Sequence, residues 1–125
     1  MAEPDRLVLD RHELNEAVEI VRRHVPPTPA FRWPMLDHVA GSRVTVKHEN
    51  HTPVGAFKVR GGLVHVSRLV ASGAPAGIVS ATRGNHGQSL AFAGALHGVA
   101  VTIFVPHGNS IEKNAAMRAL GAEVV

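Results

Sequence analysis

The sequence predicts an α/β fold, an open parallel sheet with flanking helices assembled as a βαβαβ run. Strand-like apolar stretches begin near residues 76, 99 and 122, and helical stretches fill the intervals. That interval of about 23 residues suits one strand, one helix and two short connections, the repeat of a parallel sheet with right-handed crossovers. Composition agrees: 45% of the chain is hydrophobic and 18% charged, with four Phe, one Trp and no Tyr. Small and β-branched side chains must therefore fill the core, as layered α/β interiors allow.

Each element has a local reason. Asp10 is placed to cap a helix, with Glu13 three positions on to complete a capping box. Leu14, Ala17, Val18, Val21 and Val25 then recur at helical spacing and give one apolar face. Pro26-Pro27-Thr28-Pro29 stops that helix and begins an extended connection. Val44 to His48 alternates as a short strand, and Asn50 to Pro53 is a turn. After Lys58, the series Val59, Leu63, Val66, Val70 predicts a helix that Ser72-Gly73-Ala74-Pro75 ends. Ile78-Val79 centres a strand, Gly84 to His97 reads as a helix, and Val99 to Val105 as a parallel strand buried on both faces. Asn109-Ser110 caps a helix running to Leu120, Gly121 terminates it, and Ala122 to Val125 begins a further strand.

Composition excludes several classes of function. With no cysteine there are no disulfides, thiolate nucleophiles or Cys-based metal sites. The nine histidines, at 12, 24, 38, 48, 51, 65, 86, 97 and 107, form no HExxH pair, so no metal is expected. The net charge of +3 is spread without a basic stripe interleaved with aromatics, which argues against nucleic-acid binding and suits small anions. Met1 to Arg6 lacks the basic and apolar regions of a signal peptide, and nothing approaches the roughly 18 apolar residues of a membrane span. A cytoplasmic protein is the default expectation. At 125 residues the chain is long enough for one domain with a real core.

Two stretches carry chemistry. Lys58 stands in Gly55-Ala56-Phe57-Lys58-Val59-Arg60-Gly61-Gly62, between small and apolar neighbours. Burial there would disfavour the ammonium, Arg60 would push the same way if close, and a neutral amine is what carbonyl attack requires. Ser80-Ala81-Thr82-Arg83-Gly84-Asn85-His86-Gly87-Gln88 reads as the turn between a strand and a helix, where open parallel sheets bind ligands. Gly84 and Gly87 admit close backbone approach, and free N–H groups at a helix start attract an anion. From the residues alone, Lys58 stays open between a solvated surface charge and a nucleophile. The turn stays open between a ligand loop and a plain helix start. Neither stretch is a GxGxxG or Walker loop, and no Ser-His-carboxylate triad stands out.

In order along the chain, these stretches resemble the fold-type II pyridoxal-phosphate enzymes, the tryptophan synthase β-like family. Within that family the threonine/serine ammonia-lyases (threonine dehydratases) are most alike. Pro26 to Pro29 is similar to the family's TPL segment, and Val46-Lys47-His48-Glu49-Asn50 to LKLEN. Gly55 to Gly62 is similar to GSFKIRGA, Ser80 to Gln88 to SxGNHxQ, and Asn114 to Val125 to KxxxMxxLGAEV. The resemblance implies that Lys58 is the catalytic residue and joins pyridoxal phosphate as a Schiff base. It implies that Phe57 packs beside the ring and that Asn85 hydrogen-bonds the phenolic oxygen. Ser80, Thr82, Arg83, Gly84, Asn85 and His86 would receive the substrate carboxylate. The implied reaction is β-elimination from L-threonine or L-serine to a 2-oxo acid and ammonia, in an enzyme that forms homo-oligomers.

Departures from the family pattern keep alternatives open. Arg83 replaces the serine that serves the opposite face in serine racemases, so two-base racemisation is doubtful. The wording from Thr82 to His86 resembles a dehydratase subgroup whose substrate extends to a hydroxyaspartate. A β-replacement enzyme of the same family and a non-catalytic truncated remnant are the other readings. Residues 1–29 read as an N-terminal helix and linker, and 30–125 as the N-terminal portion of a cofactor-binding α/β domain. The family's phosphate-binding glycine loop would lie beyond residue 125, so this chain by itself is expected to hold the cofactor weakly and to catalyse poorly, if at all.

Overall fold

In a computed structural model, which describes residues 10–73 and 75–125, the first apolar stripe folds as α1 (Arg11–Arg22). The readings of Met1 to Arg6 and of Ala74 lie outside the described residues. The Asp10 carboxylate accepts the His12 N–H at 3.1 Å, satisfying one of the orphan donors of the first turn. Val21 and the following Val25 are buried, while Leu14 at the other end of the stripe stays exposed.

Two elements were absent from the sequence reading. Strand β1 (Ala30–Phe31) pairs antiparallel with β2 (Val46–Lys47), in the register Ala30↔Lys47 and Phe31↔Val46. The strand expected over Val44 to His48 thus shrinks to two residues. Between the strands lies α2 (Pro34–Ala40), closed by Gly41 in the left-handed region at φ 64°. No residue of α2 is buried, so its apolar side chains, Met35 and Val39 included, trace no core-facing stripe. Its fixed point is Asp37, which accepts the Val44 N–H at 2.7 Å and pairs with Arg32. The Val44 amide first, and then Arg32, hold the Asp37 carboxyl below its usual range.

From residue 58 onward the predicted order holds, with shorter elements. Helix α3 (Lys58–Ala71) buries Val59, Gly62, Leu63 and Val66. It is followed by β3 (Ile78–Ala81), α4 (Asn85–His97), β4 (Val101–Phe104), α5 (Ile111–Ala119) and β5 (Glu123–Val124). The three strands form one parallel sheet in the order β3-β4-β5, with Ile78 beside Val101 and Thr102 beside Glu123. The expected βαβαβ unit is therefore present.

Burial on both strand faces is not. Ile78, Val101 and Ile103 face inward, whereas Val79 is 71% exposed and Phe104 47%. The reason is that α4 and α5 cover the same face. Gly94 of α4 lies against Val101, and Met117 of α5 packs between Gly87 and Ile103. No described element covers the other side.

Helices α3 and α4 pack at backbone distance. A Cβ on Gly62 would stand 2.8 Å from the Ser89 carbonyl oxygen and 2.9 Å from its hydroxyl, so only glycine fits. Farther along, the Ser67 hydroxyl meets His97 Nε2 at 2.9 Å. Both contacts advance in the same sense along both helices, so α3 and α4 run parallel and start at the same end. Substitution at two adjacent glycines should therefore give opposite signs. Gly62→Ala should lower unfolding stability by about 1–3 kcal/mol through overpacking. Gly61→Ala, which meets nothing within 4 Å, should raise it by up to about 1 kcal/mol through helix propensity. Urea midpoints of the two variants check this, and equal effects would remove the close-approach argument.

Candidate active site

The start of α3 is held by a clasp and a salt bridge. The buried Thr52 hydroxyl donates to the Ala56 carbonyl at 2.9 Å and accepts the Ala56 N–H at 3.0 Å, closing the loop before Lys58. Arg60, in the first turn of the helix, grips Glu49 through Nε and Nη2, at 2.7 and 2.9 Å. Glu49 lies in the 3₁₀ turn Glu49–His51 and also accepts the Thr28 hydroxyl at 2.6 Å. Lys47 lies nearby and donates to the Thr28 carbonyl. The Arg60 pair is the main cause, assisted by Thr28 and opposed by burial, that brings the Glu49 carboxyl down to about 2. Arg60 is raised in turn, chiefly by the same bond.

Lys58 is the first residue of α3 and is exposed, as is Phe57 at 63%. This corrects the expectation of a buried lysine. Val59, Leu63 and Val66 define the inward face of α3, and Lys58, one residue ahead of Val59, lies about 100° away from it. Arg60 does not act as a free cation on Lys58 either, because Glu49 neutralises it. Among the described residues, Lys58 makes no hydrogen bond or ion pair.

The second stretch divides into three parts. Ser80, expected in the turn, is half-buried inside β3; Thr82 to Gly84 form the turn; and Asn85 opens α4. The Thr82 N–H donates to the Phe104 carbonyl at 3.0 Å, and the Gly84 N–H to the Thr82 hydroxyl at 3.3 Å. Arg83, Asn85 and His86 are exposed, and Gly84 is buried. Helix α4 has no side-chain cap, and neither does α3, whereas Asp10 and Ser110 cap α1 and α5. The first N–H groups of α4 are thus left for other partners, whereas in α3 the Arg60 N–H is taken by the Phe57 carbonyl at 3.1 Å.

The parallel packing brings these starts together. Gly62 and Ser89 each lie four residues, or about 6 Å, beyond Lys58 and Asn85 along their helices. Lys58, Asn85 and the Thr82–Gly84 turn therefore share one end of the helix layer, while Ser80 sits one residue before the end of β3. The sequence reading missed Thr52, Asn109 and Asn114 as positioning residues. Asn109 Nδ2 donates to the Arg83 carbonyl at 3.1 Å and to Asn114 Oδ1 at 2.6 Å, fastening the turn to the start of α5. Only the Asn109-Ser110 capping signal hinted at it.

Other features lie elsewhere. A groove of about 710 Å³ between α1 and α3 is lined by Val18, Val21, Arg60, Val64 and Arg68 and contains neither Lys58 nor Asn85. Among the described residues, no three His, Asp or Glu side chains are placed to hold a metal ion. Nor is any helix among them long and apolar enough to cross a membrane.

Comparison with known proteins gives this geometry a setting. The chain belongs to the pyridoxal-phosphate dependent enzyme family, whose profile matches residues 21–125. An L-threo-3-hydroxyaspartate ammonia-lyase from Pseudomonas sp is 36% identical over 114 residues, covering 91% of this chain and 36% of the relative. An L-threonine ammonia-lyase from Thermotoga maritima is 31% identical over 113 residues, covering 90% of this chain and 28% of that one. The solved structure of a pyridoxal 5'-phosphate-dependent aspartate racemase superposes with a TM-score of 0.86 at 34% identity, over 98% of this chain and 39% of the racemase. The chain thus spans about a third of the length of the curated relatives it matches.

The family's cofactor is pyridoxal phosphate. The residues present fit it: a primary amine free of described partners stands at the same end as an amide side chain and an uncapped helix start. The Glu49 clamp sets a pH dependence. Its carboxyl lies below the unfolded value of 4.5, so the stabilisation is complete above that pH and drains away as pH falls toward about 2. Glu49→Gln should cost about 1–3 kcal/mol at pH 7 and flatten the stability profile between pH 5 and 2 relative to the parent. Denaturation midpoints across that range measure it; an unchanged slope would mean the clamp does not hold α3.

Proposed function

We propose that this chain carries the cofactor-holding part of a pyridoxal-phosphate-dependent ammonia-lyase. Its substrates are small β-hydroxy amino acids of the L-threonine, L-serine and 3-hydroxyaspartate group, and its products are a 2-oxo acid and ammonia. The observation that carries the reading is the shared end of α3 and α4, which puts an unengaged lysine and an uncapped helix start together. The ammonia-lyase relatives from Pseudomonas sp and Thermotoga maritima support it.

In this reading Lys58 would hold the cofactor through Nζ, Phe57 would lie beside the ring and the Asn85 amide would donate to a ring oxygen. Pyridoxal phosphate, when bound, supplies the electron sink that stabilises negative charge on the substrate's α-carbon. The first N–H groups of α4, with Ser80, Thr82 and His86, bind the substrate carboxylate, since a helix start favours an anion. That grip would orient the α-hydrogen toward Lys58, whose amine, set free when the substrate's own amino group takes its place on the cofactor, would remove it as general base. The β-hydroxyl would then leave as water, taking the proton that Lys58 Nζ had gained, and hydrolysis of the remaining enamine would give the 2-oxo acid and ammonia.

Similarity to an aspartate racemase raises a second reading, inversion at the α-carbon. Racemisation by two bases needs a group on the far face that gives and takes a proton. Arginine does not exchange its proton in the physiological range, so Arg83 favours elimination. The test is chemical. Borohydride reduction in the presence of pyridoxal phosphate should fix the cofactor's mass on the peptide containing Lys58. Lys58→Ala should lose that label and lower 2-oxo acid formation by about a thousandfold or more. Labelling at another lysine, or full activity in the variant, would overturn the proposal.

A further inference from the structure

We infer that Arg83 and Lys113 form a specificity pair that selects β-hydroxy amino acids carrying a second carboxylate over neutral ones such as threonine. The inference rests on the proposed reading of the site and narrows its substrate class.

The turn positions Arg83 without using its charge. Asn109 takes the Arg83 carbonyl, Asn114 takes the other Asn109 proton, and the flanking Thr82 N–H is bound to Phe104. The guanidinium makes no hydrogen bond or ion pair with a described residue. Lys113 comes from a different element, the first turn of α5, and lays its stem across the same turn. A Cβ on Gly84 would stand 2.7 Å from Lys113 Cδ and 3.4 Å from Cε, so the bare Gly84 backbone is what makes room for it. Its ammonium is likewise without a described partner. Arg83 precedes Gly84 in the chain and the Lys113 stem lies against it, so two cationic residues from different parts of the fold border Gly84, directly before the Asn85 N–H that opens α4.

Neighbouring charges do not cancel them. Glu49 is engaged by Arg60, and Glu112, the acid beside Lys113 in sequence, takes the Ser110 hydroxyl at 2.7 Å. Threonine and serine bring one carboxylate, which the uncapped α4 amides already suit. With such substrates, two cations would stand beside a methyl group or a hydrogen. A second carboxylate two carbons from the first gives them a partner. The arginine fork can grip it through two nitrogens, while lysine adds a mobile point charge. The turn holds one anion at the helix start and a second at the cation pair, which discriminates by charge where a neutral pocket would discriminate only by shape.

The experiment compares kcat/KM for L-threo-3-hydroxyaspartate and L-threonine in the pyridoxal-phosphate-loaded protein, its Arg83→Ser and Lys113→Met variants, and the conservative Lys113→Arg. Succinate and butyrate binding, followed by calorimetry, gives a readout independent of turnover. The parent should prefer the dicarboxylate by about tenfold or more. Arg83→Ser and Lys113→Met should each cut that ratio by about 10- to 100-fold, and Lys113→Arg should restore most of it. Succinate should bind more tightly than butyrate, and only in proteins that keep both cations. A parent preference for threonine, or a ratio and a succinate affinity unmoved by either variant, overturns the pair. If Lys58 is labelled and threonine is consumed while the ratio stays fixed, the pair fails and the lyase reading stands. If Lys58 is not labelled, the lyase reading fails and the succinate measurement alone decides the pair.

Discussion

The contact of Gly62 with Ser89 is the constraint on which the rest of the molecule depends. It sets α3 and α4 at backbone distance, and every statement about the relation of Lys58 to Asn85 follows from that spacing. The Ser89 hydroxyl donates to the His86 carbonyl at 2.8 Å, so it is satisfied inside its own helix and demands nothing of α3. Helix α4 repeats the device on its other sides, where Gly87 admits Met117 and Gly94 admits Val101. It is therefore packed nearly all round, with Gly87, Ser89, Leu90, Ala91, Ala93 and Gly94 buried. A chain with so few aromatic residues builds its interior by bringing backbones close rather than by filling gaps with large rings.

A second constraint fixes where the α3 start sits. Glu49 gathers Thr28, Arg60 and the vicinity of Lys47 into one charge-assisted knot, joining the β1-β2 hairpin to the first turn of α3. Thr52 closes the loop between them. The firmness of this framework contrasts with the open chemistry of the helix starts it supports. Helices α1 and α5 each spend a first-turn N–H on a side-chain cap, Asp10 and Ser110, while α4 has no such cap and α3 uses only its Phe57 carbonyl, for the Arg60 N–H. Rigid support beneath unsatisfied groups is the arrangement a binding site needs, because the cost of ordering is met in folding rather than at the moment of binding.

The sequence made the second half of the fold legible because its signals are local. Valines at helical spacing after Lys58, a glycine after His97 and a strand every twenty-odd residues need no tertiary knowledge. Strand β1 and α2 were illegible for the opposite reason. Two-residue strands have no period, and Met35 and Val39 point outward, so hydrophobicity misreports what is buried. The candidate site was partly legible. Lys58 and the Asn85 turn stand out as motifs, but their common end depends on Gly62 meeting Ser89 across a separation that no window along the chain contains. Burial of Lys58 was misjudged because apolar neighbours in sequence are not neighbours in space: Val59 turns inward and Phe57 does not. Thr52 and Asn109 gave almost no signal, since a threonine or asparagine in a loop is usually just a turn residue.

The turn between β3 and α4 is held without help from its side chain at 83. Its path here is set by main-chain atoms: Thr82 N–H on Phe104, the Arg83 carbonyl under Asn109, and Gly84 N–H on the Thr82 hydroxyl. The side chain at 83 contributes to none of these bonds. That position can therefore change from a hydroxyl that exchanges protons to a guanidinium that does not, without altering the route of the backbone. On the proposed reading, a substitution of this kind would alter which proton transfers and which charges the site accepts, and the uncapped start of α4 would stay in place. Residue 83 would then act with Lys113 on substrate charge, and its replacement would cost the fold little because main-chain bonds, not its side chain, hold the turn.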